Sequence, residues 1–334
     1  MKKKLLSALL CAAMVASLVI GCGSKEEPAA EAPAATEDAE VSAEEVEEAE
    51  DEENYETGDA SLDNTRNQDE IGENELLVVS FGTSFNDNRR LTIGAIEEKI
   101  EAAFPEYAVR RGFTSQIIID HVMSRDNVKI DNVAEALDRA VANGVKNLVV
   151  QPTLLMNGIE YEELTTTLAE YSDSFESVTV GEPLLTSDED FQKVAAAIVD
   201  VTAEYDDEKT AIVFMGHGTH HESNAVYAKM QTLLTEGGHK NYFVGTVEGS
   251  PMLDEVMPLV EAGGYERVVL RPLMIVAGDH ANNDMAGLEE AGAWAYEFEA
   301  AGYEVVSVVE GLGQIEAIQD LLVDHTQAAV DSAK

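Results

Sequence analysis

The sequence predicts an α/β protein made of two similar, doubly wound lobes with parallel sheets and a cleft between them. Short aliphatic runs alternate with amphipathic helical stretches from Leu76 onward, as expected of strands that helices cover on both faces. Two stretches of this pattern repeat each other. Hydrophobic residues make up 45% of the 334 residues and aromatic residues only 6%, which favours an aliphatic α/β core over an aromatic-rich β protein.

Residues 1–22 have the features of an export signal. Lys2, Lys3 and Lys4 precede an apolar run over residues 5–20. The run ends in small residues followed by Cys22, which resembles a bacterial lipobox, in which Cys22 is lipidated and becomes the mature N-terminus. The alternative is an uncleaved membrane anchor, although the run is short for a membrane-spanning helix. Both interpretations predict a chain that lies outside the cytoplasm and is tethered to a membrane.

Residues 23–75 form a strongly acidic segment, in which Lys25 and Arg66 are the only basic residues. Because such a segment has little apolar surface to bury, we expect a disordered, self-repelling linker. The whole chain carries a formal charge of −44, which excludes nucleic acid as a main partner. Both cysteines, Cys11 and Cys22, lie in the signal, so the folded part has neither disulfides nor thiolate metal sites.

Eight strands are predicted, four in an N-terminal lobe (76–185) and four in a C-terminal lobe (186–334) that ends in a closing helix. The predicted strands cover residues 76–81, 107–112, 146–151 and 177–180, and then 210–215, 242–247, 267–271 and 303–309. The predicted helices cover residues 93–104, 133–143, 190–205, 284–301 and 315–333.

The two lobes read as copies of each other. Residues 144–152 resemble residues 264–272 at an offset of 120, and the match continues from Gly158 to Gly278. The next steps at this offset pair Glu160 with His280. Residues 79–83 likewise parallel residues 215–219, which pairs Phe81 with His217. We therefore expect the lobes to be related by a pseudo-twofold axis.

Three ionisable residues follow predicted strands, where open parallel sheets bind ligands. His217 lies between two glycines directly after a strand, His280 follows another strand, and Glu160 is the counterpart of His280 in the first lobe. Two imidazoles and a carboxylate favour a divalent metal such as Co²⁺, Ni²⁺, Fe²⁺ or Zn²⁺, and the lack of cysteine argues against a closed structural zinc site. The alternative interpretation is that His217 and His280 are ordinary loop residues and that Glu160 is a solvated carboxylate, without a metal site.

The remaining histidines carry weaker signals. His220 and His221 are expected at the surface or behind the site, whereas the other three are expected to be structural. These three are His121, His239 and His325.

Several motifs together resemble the anaerobic, early-insertion cobaltochelatases of cobalamin biosynthesis, which are class II tetrapyrrole chelatases. The resemblance covers Leu76 to the C-terminus, with the motifs in order. They are Leu76–Ser84, Phe113–Ser115, Asn157–Tyr161, Phe214–Gly218 and Pro272–His280.

This resemblance implies a homo-oligomeric enzyme that inserts Co²⁺ into sirohydrochlorin without ATP or another nucleotide. It implies that His217, His280 and Glu160 form the metal site, with the imidazoles as ligands and proton acceptors. Asp279 and Asn283 are candidates for orienting His280. Ni²⁺ and Fe²⁺ are alternative metals.

The substrate of such an enzyme carries several carboxylates. Gly82, Thr83 and Ser84 are predicted to donate hydrogen bonds to them. The candidate cations are Arg89, Arg90, Arg110, Arg111 and Arg271. The chain departs from the family at Leu154, where relatives often carry a histidine.

Two other functions suit parts of the sequence. One is a non-catalytic lipoprotein that carries metal, haem or a tetrapyrrole. The other is a solute-binding lipoprotein of an ABC transporter, for which the motif series gives no support.

Overall fold

A computed structural model of the chain describes residues 57–289 and 291–333 and contains two four-stranded parallel sheets. The first sheet consists of β1 (Asn74–Ser80), β2 (Ala108–Phe113), β3 (Asn147–Pro152) and β4 (Ser177–Val180), in the order β2-β1-β3-β4. The second consists of β5 (Thr210–Gly218), β6 (Tyr242–Glu248), β7 (Arg267–Pro272) and β8 (Glu304–Ser307), in the order β6-β5-β7-β8. The identical order confirms the predicted fold class.

Helices connect the strands in both lobes. The first lobe has α1 (Asn86–Arg89), a π-helical turn (Arg90–Gly94), α2 (Ala95–Ala103), α3 (Gln116–Asp126), α4 (Val133–Ala142) and α5 (Ile159–Tyr171). The chain continues with α6 (Asp188–Thr202), α7 (Ala225–Glu236), α8 (Leu253–Gly263), a second π-helical turn (Ala281–Met285), α9 (Trp294–Ala300) and α10 (Glu316–Ser332). None of these helices is both long enough and apolar enough to span a membrane.

The helix predicted over residues 284–301 is wrong in its first half. Among the described residues of this range, which lack residue 290, only the turn that ends at Met285 and the short helix α9 are helical. Gly292 has φ +108°, which an α-helix does not accommodate, so α9 begins after it.

The sequence repeat corresponds to equivalent positions in the two sheets. Strands β1 and β3 pair with Val79 opposite Pro152, and β5 and β7 pair with Met215 opposite Pro272. Each central strand therefore passes the proline that closes its neighbour, β1 by one residue to Ser80 and β5 by three residues to Gly218. The residues after these four strands lie at corresponding edges of the two sheets.

One hydrophobic cluster extends across both lobes, in addition to clusters that belong to single lobes. A single cluster of buried side chains includes Val78 and Val149 from the first sheet, Phe214 and Val269 from the second, and Ile318 from the closing helix. Helix α10 packs against α2 and β3, which belong to the first lobe. The closing helix thus returns from the second sheet to the first and fixes the lobes to each other.

The predicted disordered linker is wrong over residues 57–73, which we call the N-terminal strap. Arg66 lies in the strap with 2% of its surface exposed, and its Nε donates to Glu97 Oε2 at 3.1 Å. Asp63 binds the guanidinium groups of Arg89 and Arg111. Buried charges of opposite sign outweigh the acidic composition and hold the strap on the first lobe. The signal, Cys22 and the rest of the linker lie outside the described residues.

The prediction that Arg110 and Arg111 bind substrate is wrong, because both side chains are completely buried on β2. Arg110 lies between Glu75, at 3.2 Å, and Asp131, at 3.1 Å. Arg111 is held by Asp63 and Glu97. These guanidinium groups therefore neutralise carboxylates inside the first lobe.

The carboxylates around Arg110 differ in acidity. Burial raises the pKa of Glu75 to about 7, although Arg110 beside it acts in the opposite direction. Burial also acts to raise the pKa of Asp131, but hydrogen bonds from Arg139 and Lys129 outweigh it and hold this pKa below its usual value. Asp131 is thus ionised and is the main counter-charge of this cluster.

Replacing Asp131 with asparagine should lower the free energy of unfolding by about 3 kcal/mol at pH 7, because Arg110 loses a buried counter-charge. A carboxylate with a depressed pKa stabilises the fold above its unfolded pKa of about 4, and this stabilisation is lost as the pH falls through the folded pKa. The difference between wild type and Asp131→Asn in urea unfolding should therefore narrow below about pH 4. The exposed Asp173→Asn is the control, and an equal loss in both variants would contradict the assignment.

Candidate active site

A cavity of about 190 Å³ lies where the carboxyl ends of the central strands of both sheets meet. Most of its wall comes from the end of β5 and from the turns that follow β1, β3, β5 and β7, and Ile118 of α3 and Tyr227 of α7 complete it. The first lobe contributes Phe81, Thr83 and Glu160, and the second contributes His217 and His280. The cavity is therefore formed by both lobes, at the edge where parallel sheets bind ligands.

The turns of the two lobes approach each other in reciprocal pairs at two glycines. A Cβ atom added to Gly278, after β7, would lie 3.1 Å from Thr83 Oγ1, after β1. A Cβ atom added to Gly158, after β3, would lie 3.2 Å from Ser223 Oγ, after β5. The glycines that the repeat aligns therefore mark two close contacts between the lobes beside the cavity.

The two predicted histidines are in direct contact. The ring centroids of His217 and His280 are 4.6 Å apart, and the rings are nearly perpendicular at 87°. They meet because His217 lies near the end of β5, which extends to Gly218 and so includes residues predicted to follow the strand, and because β7, which precedes His280, is hydrogen-bonded to β5.

Hydrogen bonds define which ring nitrogen of each neutral histidine carries the proton. His217 Nδ1 lies 2.9 Å from the carbonyl oxygen of Gly218, and His280 Nδ1 lies 2.6 Å from Asp284 Oδ2. Because both oxygens are acceptors, each Nδ1 is the donor and the lone pair of each ring is on Nε2. An imidazole in this tautomer can bind a divalent metal or accept a proton through Nε2.

Glu160 lies in the first turn of α5 and lines the same cavity as the two histidines. Its negative charge, together with burial as the larger cause, raises the pKa of the Tyr227 phenol to about 12. Over residues 57–289 and 291–333, no three His, Cys, Asp or Glu side chains are already arranged around a metal position. The structure thus unites the predicted trio in one cavity without a closed coordination sphere.

Glycines on both sides of His217 allow a close approach that fixes this residue. A Cβ atom at Gly216 would lie 2.1 Å from Tyr227 Cε1. Gly218 has φ +86°, and a Cβ atom there would lie 1.4 Å from the carbonyl oxygen of Glu248. The Gly218 N–H also donates to the Tyr227 hydroxyl at 3.2 Å. Tyr227 therefore packs against the glycines on both sides of His217 and holds this residue in place.

Two of the three residues predicted to donate to substrate carboxylates lie at the cavity, and their binding of substrate stays a prediction. Gly82 and Thr83 line the cavity, whereas Ser84 is completely buried, and its carbonyl accepts from Arg125 at 2.6 Å. The expectation that Ser84 contacts substrate is therefore wrong.

The arginines predicted for the same role lie elsewhere. Arg89 is buried, Arg90 pairs with Asp87, and Arg271 pairs with Glu310. Among the residues that the structure describes, no lysine or arginine lines the cavity.

Most of the cavity wall is apolar. Leu154, where relatives often carry a histidine, is 7% exposed and belongs to this wall. Phe81 and Ile159 are 42% and 49% exposed. The other apolar residues of the wall are Ile118, Leu155, Met156, Met274, Ile275 and Val276.

Two functional residues were missed by the sequence analysis. Asp284 is the residue bound to His280 Nδ1, whereas the predicted Asn283 donates to Asp279 Oδ1. The four-residue spacing of His280 and Asp284 is the signal that could have found the pair, because such residues share one face of a helical turn. Nothing in the sequence around Tyr227, the second missed residue, indicates that its side chain contacts the glycines beside His217.

Three of the other histidines behave as expected. His239 packs against Tyr242, His325 Nε2 lies 3.1 Å from Asp190 Oδ1, and His221 Nδ1 lies 2.9 Å from Ser223 Oγ. None of the three lines the cavity.

Comparison with known proteins decides which family this site belongs to. Residues 74–331 match the cobalt chelatase (CbiK) family. The chain belongs to the cobalt chelatase family. It is therefore a metal chelatase enzyme, and the solute-binding alternative is dropped.

Curated relatives agree with this family over most of their length. The chain is 36% identical over 259 residues to the sirohydrochlorin cobaltochelatase of Salmonella typhimurium, covering 77% of this chain and 97% of the relative. It is 32% identical over 259 residues to the sirohydrochlorin cobaltochelatase CbiKC of Nitratidesulfovibrio vulgaris, covering 77% and 90%. The structure of SirB from Bacillus subtilis with Fe³⁺ has the same fold, with a TM-score of 0.54 at 15% identity, covering 78% of this chain and 97% of SirB.

Gly218→Ala should displace the His217 turn, because the new methyl group would overlap the Glu248 carbonyl. We expect a fall in melting temperature and a loss of chelatase activity of at least about 100-fold, since small displacements of reacting groups cost this much. Gly238→Ala is the matched control, because Gly238 has a similar φ of +96° but no atom within 4 Å of the added Cβ. Equal effects of both substitutions would show that backbone strain alone is responsible.

Proposed function

We propose that this chain is a membrane-tethered enzyme that inserts Co²⁺ into sirohydrochlorin without ATP. The observation that carries the proposal is the contact of His217 with His280, whose ring centroids are 4.6 Å apart in a cavity formed by both lobes. The names of the two curated relatives support cobalt as the metal and sirohydrochlorin as the tetrapyrrole.

The donor set suits a metal that is a substrate and must be released. Imidazole nitrogen is a good ligand for borderline divalent ions, and the Nε2 atoms of His217 and His280 supply two such donors. Glu160 adds a carboxylate from the opposite lobe. Because the described residues contain no ready-made cage of three or more such side chains, the ion keeps open positions for water and for pyrrole nitrogens.

Insertion exchanges one Co²⁺ for the two N–H protons of the macrocycle, so the active site must accept two protons. Neutral imidazoles accept protons near pH 7, and His217 and His280 are the bases in the cavity. The Asp284 carboxylate, 2.6 Å from His280 Nδ1, stabilises the imidazolium that forms there. Water then takes the protons, and no step requires transfer of a phosphoryl group.

The macrocycle binds through its apolar surface. The half-exposed Phe81 and Ile159 and the buried Leu154 offer hydrophobic contacts to a flat ring. A cavity of 190 Å³ is smaller than most small-molecule pockets, which measure about 300–1,000 Å³, so only part of the macrocycle enters it. The carboxylate-bearing rim stays near solvent, within reach of the backbone N–H groups of Gly82 and Thr83.

The full-length chain, solubilised in detergent, should insert Co²⁺ into sirohydrochlorin with many turnovers, followed by the absorbance change on metallation. His217→Ala and His280→Ala should each lower kcat/KM by at least about 100-fold, because each removes a ligand and a base. His239→Ala, which alters a ring packed on Tyr242 away from the cavity, is the control. Ni²⁺ and Fe²⁺ in parallel assays establish the metal preference.

Stoichiometric binding of cobalt or of the tetrapyrrole without turnover would contradict the proposed reaction. That result would favour a non-catalytic carrier that retains the cavity.

Cys22 is the residue that carries the proposed tether. The support is the lysine-rich start, the apolar run over residues 5–20 and the small residues before Cys22, together with the acidic segment that follows. In this proposal a lipid on Cys22 holds the enzyme at the outer face of a membrane. Assembly into a homo-oligomer stays a prediction from the family resemblance.

Cys22→Ser should move the chain from the membrane fraction to the soluble fraction, because the lipidated side chain is lost. Cys11→Ser, in the apolar run, is the matched control and should leave the chain in the membrane fraction. Fractionation followed by immunoblotting measures both. Retention of the Cys22→Ser chain in the membrane would favour an uncleaved anchor.

A further inference from the structure

We propose that the N-terminal strap positions the active-site turn Gly82–Ser84 through Asp63, which makes Asp63 a positioning residue for metal insertion. The strap precedes residue 74, where the match to the cobalt chelatase family begins. The proposal rests on the proposed function, because it gives Asp63 a part in cobalt insertion.

Asp63 bridges two buried arginines of the first lobe. Its Oδ2 accepts from Arg89 Nε and from Arg111 Nη1, both at 2.7 Å, and its Oδ1 accepts from Arg111 Nη2 at 3.1 Å. The side chain of Asp63 is 3% exposed, and those of both arginines are completely buried. These charge-assisted contacts are short and shielded from water, so they hold a defined geometry.

The first connection from Asp63 to the cavity runs through Arg89. Arg89 Nη1 donates to the carbonyl oxygen of Thr83 at 3.0 Å and reaches that of Ser84 at 3.5 Å. Thr83 lines the cavity, and its hydroxyl faces Gly278, two residues before His280. A shift of Arg89 therefore moves the turn that touches the histidine-bearing lobe.

The second connection runs through Arg111. Its guanidinium carbon lies 5.8 Å from the centroid of the Phe113 ring. A Cβ atom at Gly82 would lie 2.6 Å from Phe113 Cδ2, so the ring packs directly against this glycine. Gly82 has φ +110° and lines the cavity. Both connections thus end on the same turn.

Charge balance explains why the turn depends on the strap. Without Asp63, the buried Glu97 carboxylate is left to balance Arg111 while it also pairs with Arg66, which has the exposed Glu101 as a second partner. Arg89 loses its ion pair with Asp63. Arg89 and Arg111, which share Asp63, then repel each other in a site of low dielectric constant. The guanidinium groups should separate or draw in water, and the Thr83 carbonyl loses its fixed donor.

The test compares Asp63→Asn with Asp59→Asn in the full-length chain. Asp59 is exposed, and its carboxylate accepts from the N–H and hydroxyl of Ser61 and lies outside the network of Asp63, so Asp59→Asn makes the same chemical change without the network. We expect Asp63→Asn to lower kcat by about 10- to 100-fold with little change in the KM for Co²⁺, since a misplaced turn impairs the reacting geometry. Hydrogen–deuterium exchange should rise in a peptide containing residues 82–85, and Asp59→Asn should match wild type in both measurements.

A second variant keeps the proposal testable if Asp63→Asn does not fold. Asp63→Glu retains the charge but moves the carboxylate by one methylene group, so the chain should fold with faster exchange over residues 82–85 and a kcat about 3- to 10-fold lower. A lower melting temperature with unchanged kcat and unchanged exchange over residues 82–85 would overturn the proposal, because Asp63 would then act only on stability.

The exchange measurement separates this proposal from the proposed function. If the wild-type chain does not insert cobalt, the proposed function fails, but faster exchange over residues 82–85 in Asp63→Asn still supports the connection from the strap to the turn. If the wild-type chain is active and neither kcat nor exchange responds to Asp63, only the further proposal fails.

Discussion

The close approach of the lobes at Gly278 and Gly158 is the constraint on which the site depends. A Cβ atom at these glycines would crowd the hydroxyl groups of Thr83 and Ser223, at 3.1 and 3.2 Å. The lobes therefore approach closely at two reciprocal points, the Ala277 N–H donates to Asn88 Oδ1 across the lobes at 2.8 Å, and the shared core and the returning helix α10 hold them there. Because close-packed protein interiors transmit displacements, a small shift of one turn should reach the opposite lobe. The cavity exists because these contacts are close but do not fill the space between the strand ends.

Duplication of the lobe gives two equivalent positions for each active-site residue, and the chain uses them differently. At the position of His217 the first lobe has Phe81, and at the position of His280 it has Glu160. Both imidazoles consequently belong to the second lobe, whereas the first supplies a carboxylate and much of the apolar wall. Such asymmetry suits a reaction with two dissimilar substrates, a hydrated cation and a flat ring. One lobe can hold the ion while the other contacts the macrocycle.

The fold and the positions of His217 and His280 could be predicted from the sequence, because both depend on the local hydrophobic pattern and on the repeat. Aliphatic runs identify strands, and the repeat placed Glu160 and His280 at equivalent strand ends. The fate of Arg110 and Arg111 could not be predicted, since their partners Glu75, Asp131, Asp63 and Glu97 are distant in sequence and become neighbours only on folding. The acidic composition around Asp63 hid the ordered strap for the same reason. Asp284 was missed because the residues after His280 were not recognised as a helical turn.

The location of the arginines bears directly on recognition. Three arginines were expected to bind the substrate but form buried ion pairs with carboxylates instead. They are Arg89, Arg110 and Arg111. These positive charges are therefore absent from the surface of an already acidic chain. The resulting negative field attracts Co²⁺ and opposes a polycarboxylate. Since no lysine or arginine of the described residues lines the cavity, substrate affinity has to come from apolar contact with the ring and from backbone N–H groups. For the proposed tetrapyrrole substrate, discrimination should thus depend on the shape of the macrocycle more than on the number of its carboxylates.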